Sequence, residues 1–340
     1  MKLIIAGLGN VGLSLVKILR DSQKELSKAY PSGISIIGAA DRGGYAFYDE
    51  GLNPETILSV KQKCGTVAFY PNYGQQKAST IKAIENAKAD VVVDMTPTNI
   101  VNGEPGLSYI RSALSSGKHV VTTNKGPLAL AYDELVNLAA EKQLLLKFGG
   151  TVGGAIPVID FAQKCLVGNT VTKIEGILNG TTNFILTKML EERISMTEAL
   201  KEAQRLGYAE EDPSYDVEAI DPACKLVILA NAILGKRARI HDVEREGITK
   251  VALYEVSEAY RQGLSVKLIC TASNELLQVK PKLIKKDDPL CVNGVLNALS
   301  FHTKLAGSFT LVGRGAGGPE AASSALRDII NIGLTTREGH

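Results

Sequence analysis

No apolar run in this 340-residue chain approaches the ~20 residues that a helix needs to cross a bilayer; the longest largely apolar stretch lies within 226–234. A secretory signal core is missing as well, because the apolar residues 3–6 are broken at once by Gly7 and Gly9. Cysteine is sparse and scattered. Cys64, Cys165, Cys224, Cys270 and Cys291 are odd in number and contain no Cys-x-x-Cys pair, which points away from a disulfide framework and toward a reducing compartment, the cytoplasm. The four histidines, His119, His241, His302 and His340, lack zinc-ligand spacing, so metal-driven hydrolysis is not expected. Charge of one sign is also lacking: 38 Lys and Arg against 36 Asp and Glu leave a net +2. With no basic stripe interleaved with aromatics, nucleic acid is not an expected partner. There is no internal repeat and no low-complexity segment.

The chain does have apolar mass, 45% of 340 residues, enough for a large core and more in keeping with two domains than one. Residues 3–6 read as a buried strand, then Gly7-Leu8-Gly9-Asn10-Val11-Gly12 leads into a helix to about Arg20. Strand, glycine turn and helix in that order suit a dinucleotide pyrophosphate, which needs close backbone approach at a helix N-terminus. A second strand, 34–40, ends in Asp41-Arg42. An acidic residue there accepts from a ribose hydroxyl, while an arginine pairs with a 2′-phosphate, so the choice of NAD or NADP stays open at this point. Lys61, near the end of the next helix, can approach the same phosphate, and a solvated turn charge would also account for Arg42.

Residues 90–96 form a further buried strand ending at Thr96, where a cap or a contact to a nicotinamide are both consistent with the position. A helix over 109–116 and a strand over 119–123 deliver Asn124-Lys125 to another strand end; an exposed loop lysine is the plain alternative for Lys125. A helix over 132–142 and a strand over 144–148 precede the glycine-dense turn 149–157. The alternation then changes, with a helix over 158–166, a strand over 172–178, and Asn179-Gly180-Thr181-Thr182-Asn183 opening a helix to Glu192. The amides and hydroxyls of that run suit a carboxylate at a helix start, or capping alone. Ser195 and Glu198 form a capping box. A helix to Tyr260 and strands over 264–271, 276–282, 297–303 and 308–312 follow, and a second glycine turn, 313–318 with Gly317, precedes a last amphipathic helix.

Between the helix that ends at Gly207 and the apolar stretch 226–234, the carboxylates Glu210, Glu211, Asp212, Asp216, Glu218 and Asp221 precede one lysine, Lys225. Asp221-Pro222 reads as an N-cap with proline at the first helical position, which puts Lys225 in the first turn of a buried helix. Beside the positive end of that helix, in a partly dry site, the charged form of an ammonium is disfavoured, a setting for proton exchange with Asp216 and Asp221 as holding groups. A solvated acidic loop before a snorkelling lysine gives the same letters.

The spacing Tyr208, Glu210, Asp216, Asp221, Lys225 resembles the substrate segment of homoserine dehydrogenases. So does Lys125-Gly126-Pro127-Leu128-Ala129-Leu130, and the Asn179 to Leu186 run matches the family's pattern almost letter for letter. The resemblance covers residues 5 to about 330. It implies an α/β fold with a Rossmann-type dinucleotide-binding domain, residues 1–134 completed by 313–340, and an α+β catalytic and dimerisation domain, residues 135–312, in a homodimer. It implies NAD(P)-dependent interconversion of L-homoserine and L-aspartate 4-semialdehyde, with Lys225 as first choice for the proton and Lys125 as its partner or substitute. Asp221, Glu210, Asp216, Tyr208, Asn179 and Thr182 would face the substrate, with Asp221 and Glu210 taking its ammonium and hydroxyl. NADP is favoured through Arg42. A monovalent cation on the carbonyls of Val152, Gly154 and Ile156 is a further family trait, but Gly149 stands where the family commonly has glutamate. Since the resemblance ends near residue 330, a threonine-sensing domain beyond it is not expected, nor is feedback inhibition. Another amino-acid or semialdehyde oxidoreductase and a non-catalytic nucleotide sensor remain as alternatives.

Overall fold

The computed structural model describes residues 1–31 and 33–338; His340 lies outside the described residues. The chain divides into two units, Met1–Thr151 with the segment from Gly317, and Val152–Ala316.

In the first unit, β1 (Lys2–Ala6), β2 (Ser35–Asp41), β3 (Gly44–Phe47), β4 (Gly74–Gln76), β5 (Val91–Asp94), β6 (His119–Thr122) and β7 (Leu146–Lys147) form one sheet, ordered β4-β3-β2-β1-β5-β6-β7. Strands β2, β1, β5, β6 and β7 run parallel, and β3 and β4 close one edge antiparallel. Parallel strands are covered on both faces, which is why they read as unbroken apolar runs: Leu3, Ile5, Val91, Val92 and Val93 are fully buried. The connecting helices are α1 (Asn10–Asp21), α2 (Gln23–Ala29), α3 (Pro54–Cys64), α4 (Thr80–Asn86), α5 (Gly106–Ser115) and α6 (Lys125–Glu141). Because the chain leaves β1 toward β2 on one side and β5 on the other, the crevice for a ligand opens beyond Ala6 and Asp94. Leu15, Val16 and Leu19 of α1 pack into the same core as Ala322, Ala325, Ile329 and Ile332 of the C-terminal helix Gly318–Glu338.

Three expectations change here. The helix expected from 132 begins at Lys125, because the Asn124 side chain caps it by accepting from the Gly126 amide; it kinks at Ala131. The strand expected over 144–148 shortens to β7. Since β7 pairs with β6, the chain stays with the first unit through residue 151, and the boundary drawn after residue 134 falls inside α6.

In the second unit, β8 (Val171–Ile177), β9 (Glu244–Arg245), β10 (Leu264–Ser273), β11 (Leu277–Lys285), β12 (Leu296–Thr303) and β13 (Ser308–Arg314) form a sheet ordered β13-β12-β8-β10-β11-β9, antiparallel except for β9 with β11. Its helices are α7 (Val158–Asp160), α8 (Gly180–Glu192), α9 (Met196–Arg205), α10 (Ser214–Val217), α11 (Ile220–Leu234) and α12 (Leu253–Arg261). The helix expected over 158–166 is α only to Asp160 and widens into a π-turn, Phe161–Cys165. That turn carries Phe161, whose ring packs on Phe301 and Phe309 at 5.7 and 5.8 Å. Ser195 forms the capping box with Glu198 at the start of α9.

Candidate active site

At the end of β1 the three glycines have different duties. Gly7 sits at φ 102°, and a Cβ there would stand 2.5 Å from the Met95 carbonyl; a Cβ on Gly12 would overlap the Gly7 carbonyl oxygen. Both are therefore required by packing. Gly9 is not: nothing lies within 4 Å of its Cβ position. Gly9 is also the N-cap of α1, gives no side-chain cap, and is followed by no acidic residue in the first turn. The opening amides of α1, from Asn10 and Val11 onward, thus have no side-chain cap and no neighbouring acidic residue, the arrangement that can accept an anion at a helix N-terminus. The turn at Gly317 (φ 130°) leads to Gly318, whose Cβ would come within 3.0 Å of the Asn10 carbonyl oxygen, so the last helix enters beside the first turn of α1.

At the end of β2, Asp41 is surrounded by donors. Its Oδ2 takes Lys61 Nζ at 2.7 Å and the Val67 amide at 3.0 Å; its Oδ1 takes Thr66 Oγ1 at 2.6 Å and the Gly43 amide at 2.9 Å. Burial alone would raise this carboxyl, but these hydrogen bonds outweigh it and hold it below the ordinary range. Lys61 is therefore turned onto Asp41, and Arg42 is exposed beside them. At the ends of β5 and β6, the fully buried Asp94 accepts from the Thr96 amide (3.0 Å), Thr96 Oγ1 (2.6 Å) and Thr122 Oγ1 (3.0 Å), while Asn124 Nδ2 donates to Thr96 Oγ1 (3.0 Å). Burial pushes the Asp94 carboxyl up against the pull of those donors. The network fixes Thr96 and, through the Asn124 cap, the half-buried Lys125 that starts α6.

In the second unit four residues converge. Lys225 Nζ stands 2.7 Å from Asp221 Oδ2 and donates to the Leu178 carbonyl at 2.7 Å. Asn179 Nδ2 donates to Asp216 Oδ1 at 2.6 Å and to Asp221 Oδ2 at 3.0 Å, and its Oδ1 accepts the Thr182 amide at the start of α8. Burial, then the charge of Asp221, raises the Asp216 carboxyl against the opposing pull of Asn179 and Lys225. The local geometry corrects one reading. Helix α11 begins at Ile220 behind Ala219, which has a left-handed backbone (φ 63°) and no capping side chain. Asp221 is consequently inside the first turn rather than its cap, and Lys225, one turn further along, reaches back to it as an i, i+4 pair.

Two sequence profiles cover most of the chain: one described as "Homoserine dehydrogenase, NAD binding domain" matches residues 7–148, and one described as "Homoserine dehydrogenase" matches residues 157–330. The chain belongs to the homoserine dehydrogenase family. It is 42% identical to the homoserine dehydrogenase of Methanocaldococcus jannaschii, over 99% of this chain and 100% of that protein. It is 38% identical to an NAD(+)-dependent homoserine dehydrogenase of Pseudomonas canavaninivorans, covering 97% and 96% of the two chains. The solved structure of a hyperthermophilic archaeal homoserine dehydrogenase in complex with NADPH superposes with a TM-score of 0.86 at 32% identity, covering 98% of each chain.

Within this homoserine dehydrogenase fold, the predicted residues gather unevenly. Asn179, Asp216, Asp221 and Lys225 form one cluster, and Thr182 is buried beside it with its hydroxyl on Asn179. Tyr208 and Glu210 are exposed; the Tyr208 ring lies 5.0 Å from that of Phe184, and the Glu210 carboxylate has no partner among the described residues. In the turn that would carry a cation, Val152, Gly154 and Ile156 are buried, but the Ile156 carbonyl accepts the Val158 amide at 2.8 Å. At Gly149 a Cβ would stand 3.0 Å from Arg327 Nη2 and 3.1 Å from the Asp328 carboxylate, which already accepts the Gly149 amide at 2.7 Å, so a side chain there would have to displace one of them. No group of three or more metal-ligating side chains occurs among the described residues. The Leu178 carbonyl and Thr66 escaped the sequence reading: a carbonyl has no side-chain signature, and Thr66 meets Asp41 across 25 residues.

Proposed function

We propose that the chain catalyses the reversible oxidation of L-homoserine to L-aspartate 4-semialdehyde with NADP or NAD, in the biosynthesis of threonine, methionine and isoleucine. The observation that carries this reading is the cluster of buried Asn179 and Lys225 with half-buried Asp216 and Asp221. Two carboxylates around one ammonium leave it short of positive charge, which suits the substrate's own ammonium. Of the three N–H donors of Lys225, Asp221 and the Leu178 carbonyl take two, leaving one for the substrate oxygen. Lys225 Nζ thus delivers a proton to that oxygen in reduction and, as the amine, takes it in oxidation. Lys125 is its partner or substitute, and Glu210, Tyr208 and Thr182 complete the substrate side. A bound nicotinamide supplies the hydride acceptor. Gly7, Gly9, Asn10, Val11 and Gly12 would hold its pyrophosphate end, Asp41, Arg42 and Lys61 its adenosine end, and Thr96, Lys125 and Gly317 the remainder.

NADP is the favoured cofactor in this reading, because Lys61 neutralises Asp41 and Arg42 stands exposed beside them; Arg42→Ala should weaken NADP more than NAD. A monovalent cation is not assigned a step, since Gly149 brings no carboxylate to its turn and the Ile156 carbonyl already accepts the Val158 amide. The free cysteines, with Cys64 and Cys165 exposed, suit the cytoplasm, and a homodimer is proposed, to be checked by light scattering. No helix is long and apolar enough to cross a membrane among the described residues. The deciding experiment follows NAD(P)H absorbance with homoserine and a panel of other amino alcohols. Highest kcat/KM for homoserine is the expected result. Preference for another alcohol would point to a different oxidoreductase, and cofactor binding without any turnover to a sensor.

A further inference from the structure

Lys267, in the middle of the second unit, is 2% exposed and has no carboxylate partner among the described residues. Its ammonium instead collects neutral oxygens from two segments: Asn183 Oδ1 (2.9 Å) and Thr187 Oγ1 (3.4 Å) of α8, and the Val292 carbonyl (2.7 Å) and Asn293 Oδ1 (2.9 Å) of the segment before β12. The same two segments are joined again around it. Asn183 Nδ2 donates to the carbonyls of Val292 and Leu296, the Gly294 amide donates to Thr187 Oγ1, and a Cβ on Gly180 would stand 2.7 Å from the Val295 carbonyl oxygen. Gly180 is the first residue of α8, directly after Asn179, whose amide bridges Asp216 and Asp221.

We propose that Lys267 is a positioning residue for the substrate cluster: its ammonium clasps residues 292–296 against the first turns of α8 and so fixes the Asn179 amide between the two aspartates. The proposal rests on reading that cluster as the substrate site. A buried ammonium is directional in a way that an apolar contact is not: of the four oxygens around its three N–H donors, the Val292 carbonyl and Thr187 Oγ1 have second donors in Asn183 Nδ2 and the Gly294 amide, so Asn183 Oδ1 is the buried acceptor that would be left unsatisfied without it.

The clasp is sensitive to alkali. Burial takes the Lys267 amine down to about 8, with Cys291 and Glu191 pulling weakly the other way. Glu191 on α8 and Cys291 before Val292 are the titratable groups acting on it. On β11, Lys282 lies opposite in register but gives its ammonium to Thr271, and α12 turns only Val256 and Ala259 inward, with Glu255, Glu258 and Arg261 exposed. Loss of the proton removes one donor and turns a lone pair toward the oxygens.

The test is the homoserine KM and kcat, and the NADPH dissociation constant, from pH 7 to 10 for the wild type, Lys267→Met, Asn293→Asp, Cys291→Ser and Asp221→Asn. Lys267→Met should raise the homoserine KM about tenfold at neutral pH while NADPH binding holds, the loss of about one hydrogen bond's worth of positioning. In the wild type the homoserine KM should climb above about pH 8. That climb should be absent in Lys267→Met and unchanged in Cys291→Ser. Asn293→Asp places a carboxylate 2.9 Å from the ammonium and should move the climb upward by about one pH unit or more. A folded Lys267→Met with wild-type homoserine KM, or a climb that Asn293→Asp leaves in place, overturns the proposal. If Lys267→Met does not fold, the Asn293→Asp shift decides alone. An Asp221→Asn variant with unaltered homoserine kinetics would instead remove the underlying site reading.

Discussion

Replacing Lys225 with methionine keeps all but the last atom of the side chain's length and removes its charge. The ammonium stands 2.7 Å from Asp221 Oδ2, with side-chain exposures of only 8% and 13%. Two unit charges at that separation attract by ~6 kcal/mol at an effective dielectric near 20. Desolvation offsets much of this, but removing one partner strands the other, at a cost of about 3–5 kcal/mol. In a unit of this size that lowers Tm by roughly 6–20 °C. Loss of a positioned proton donor should independently lower kcat by ~10²- to 10⁴-fold. Asp221→Asn in the same chain separates the two effects, because it removes the stranded carboxylate without restoring a proton donor. The double variant should regain much of the lost Tm while kcat stays at least ~10²-fold down. Calorimetry gives the first quantity; NADPH absorbance at saturating homoserine, well below the transition, gives the second. If kcat falls only in proportion to the unfolded fraction, or recovers with Tm in the double variant, the proton role is refuted. Wild-type turnover in Lys225→Met with none in Lys125→Ala would pass that role to Lys125.

The other predictions concern the cofactor end, the acidic cluster and the cation turn. Gly9→Ala should keep its Tm yet bind NADPH about tenfold or more weakly by fluorescence titration, since its Cβ enters open space that the pyrophosphate needs; Gly12→Ala, colliding with the Gly7 carbonyl, should instead lose the folded first unit. Lys61→Met leaves Asp41 without its cation and should cost NADP more affinity than NAD; equal losses would mean that Lys61 only orders the turn. Asp216 is held above its ordinary 3.8, so the folded chain binds its proton more tightly than the unfolded one. Its contribution to stability is complete below that value and is lost as pH rises through the raised one, so Asp216→Asn should flatten the fall of Tm over the mildly acidic range while weakening homoserine binding. A Tm profile identical to wild type would contradict this. Turnover in potassium, sodium and tetramethylammonium salts at equal ionic strength should agree within about twofold, since Gly149 brings no carboxylate to this turn and the Ile156 carbonyl already accepts the Val158 amide.

Much of the fold was legible because its signals are local. The buried runs of β1 and β5, the Ser195 capping box and the Asn179 cap each depend on residues a few positions apart. The start of α11 was misread for the same reason. Asp-Pro is a good local signal for a helix start, but the left-handed backbone at Ala219, which no residue type announces, sets the helix going earlier. The spacing of Asp221 and Lys225 survives that error because four residues on a helix bring two side chains together wherever the helix begins. What could not be read were meetings across long loops: Lys61 with Asp41, Asp328 with the Gly149 amide, and the four oxygens around Lys267.

The C-terminal helix has a bearing on how the chain is made. Ala322, Ala325, Ile329 and Ile332 lie in one core with Leu15, Val16 and Leu19 of α1, so the unit that begins at residue 1 is completed only by residues that leave the ribosome more than 300 positions later. Until then the apolar surface of α1 that they cover is open to water and to other nascent chains, while the second unit is wholly contained between the two halves. Cofactor present during translation would meet an N-terminal sheet without this final cover. Holdase chaperones should therefore engage a released chain truncated at residue 316 more strongly than the full chain.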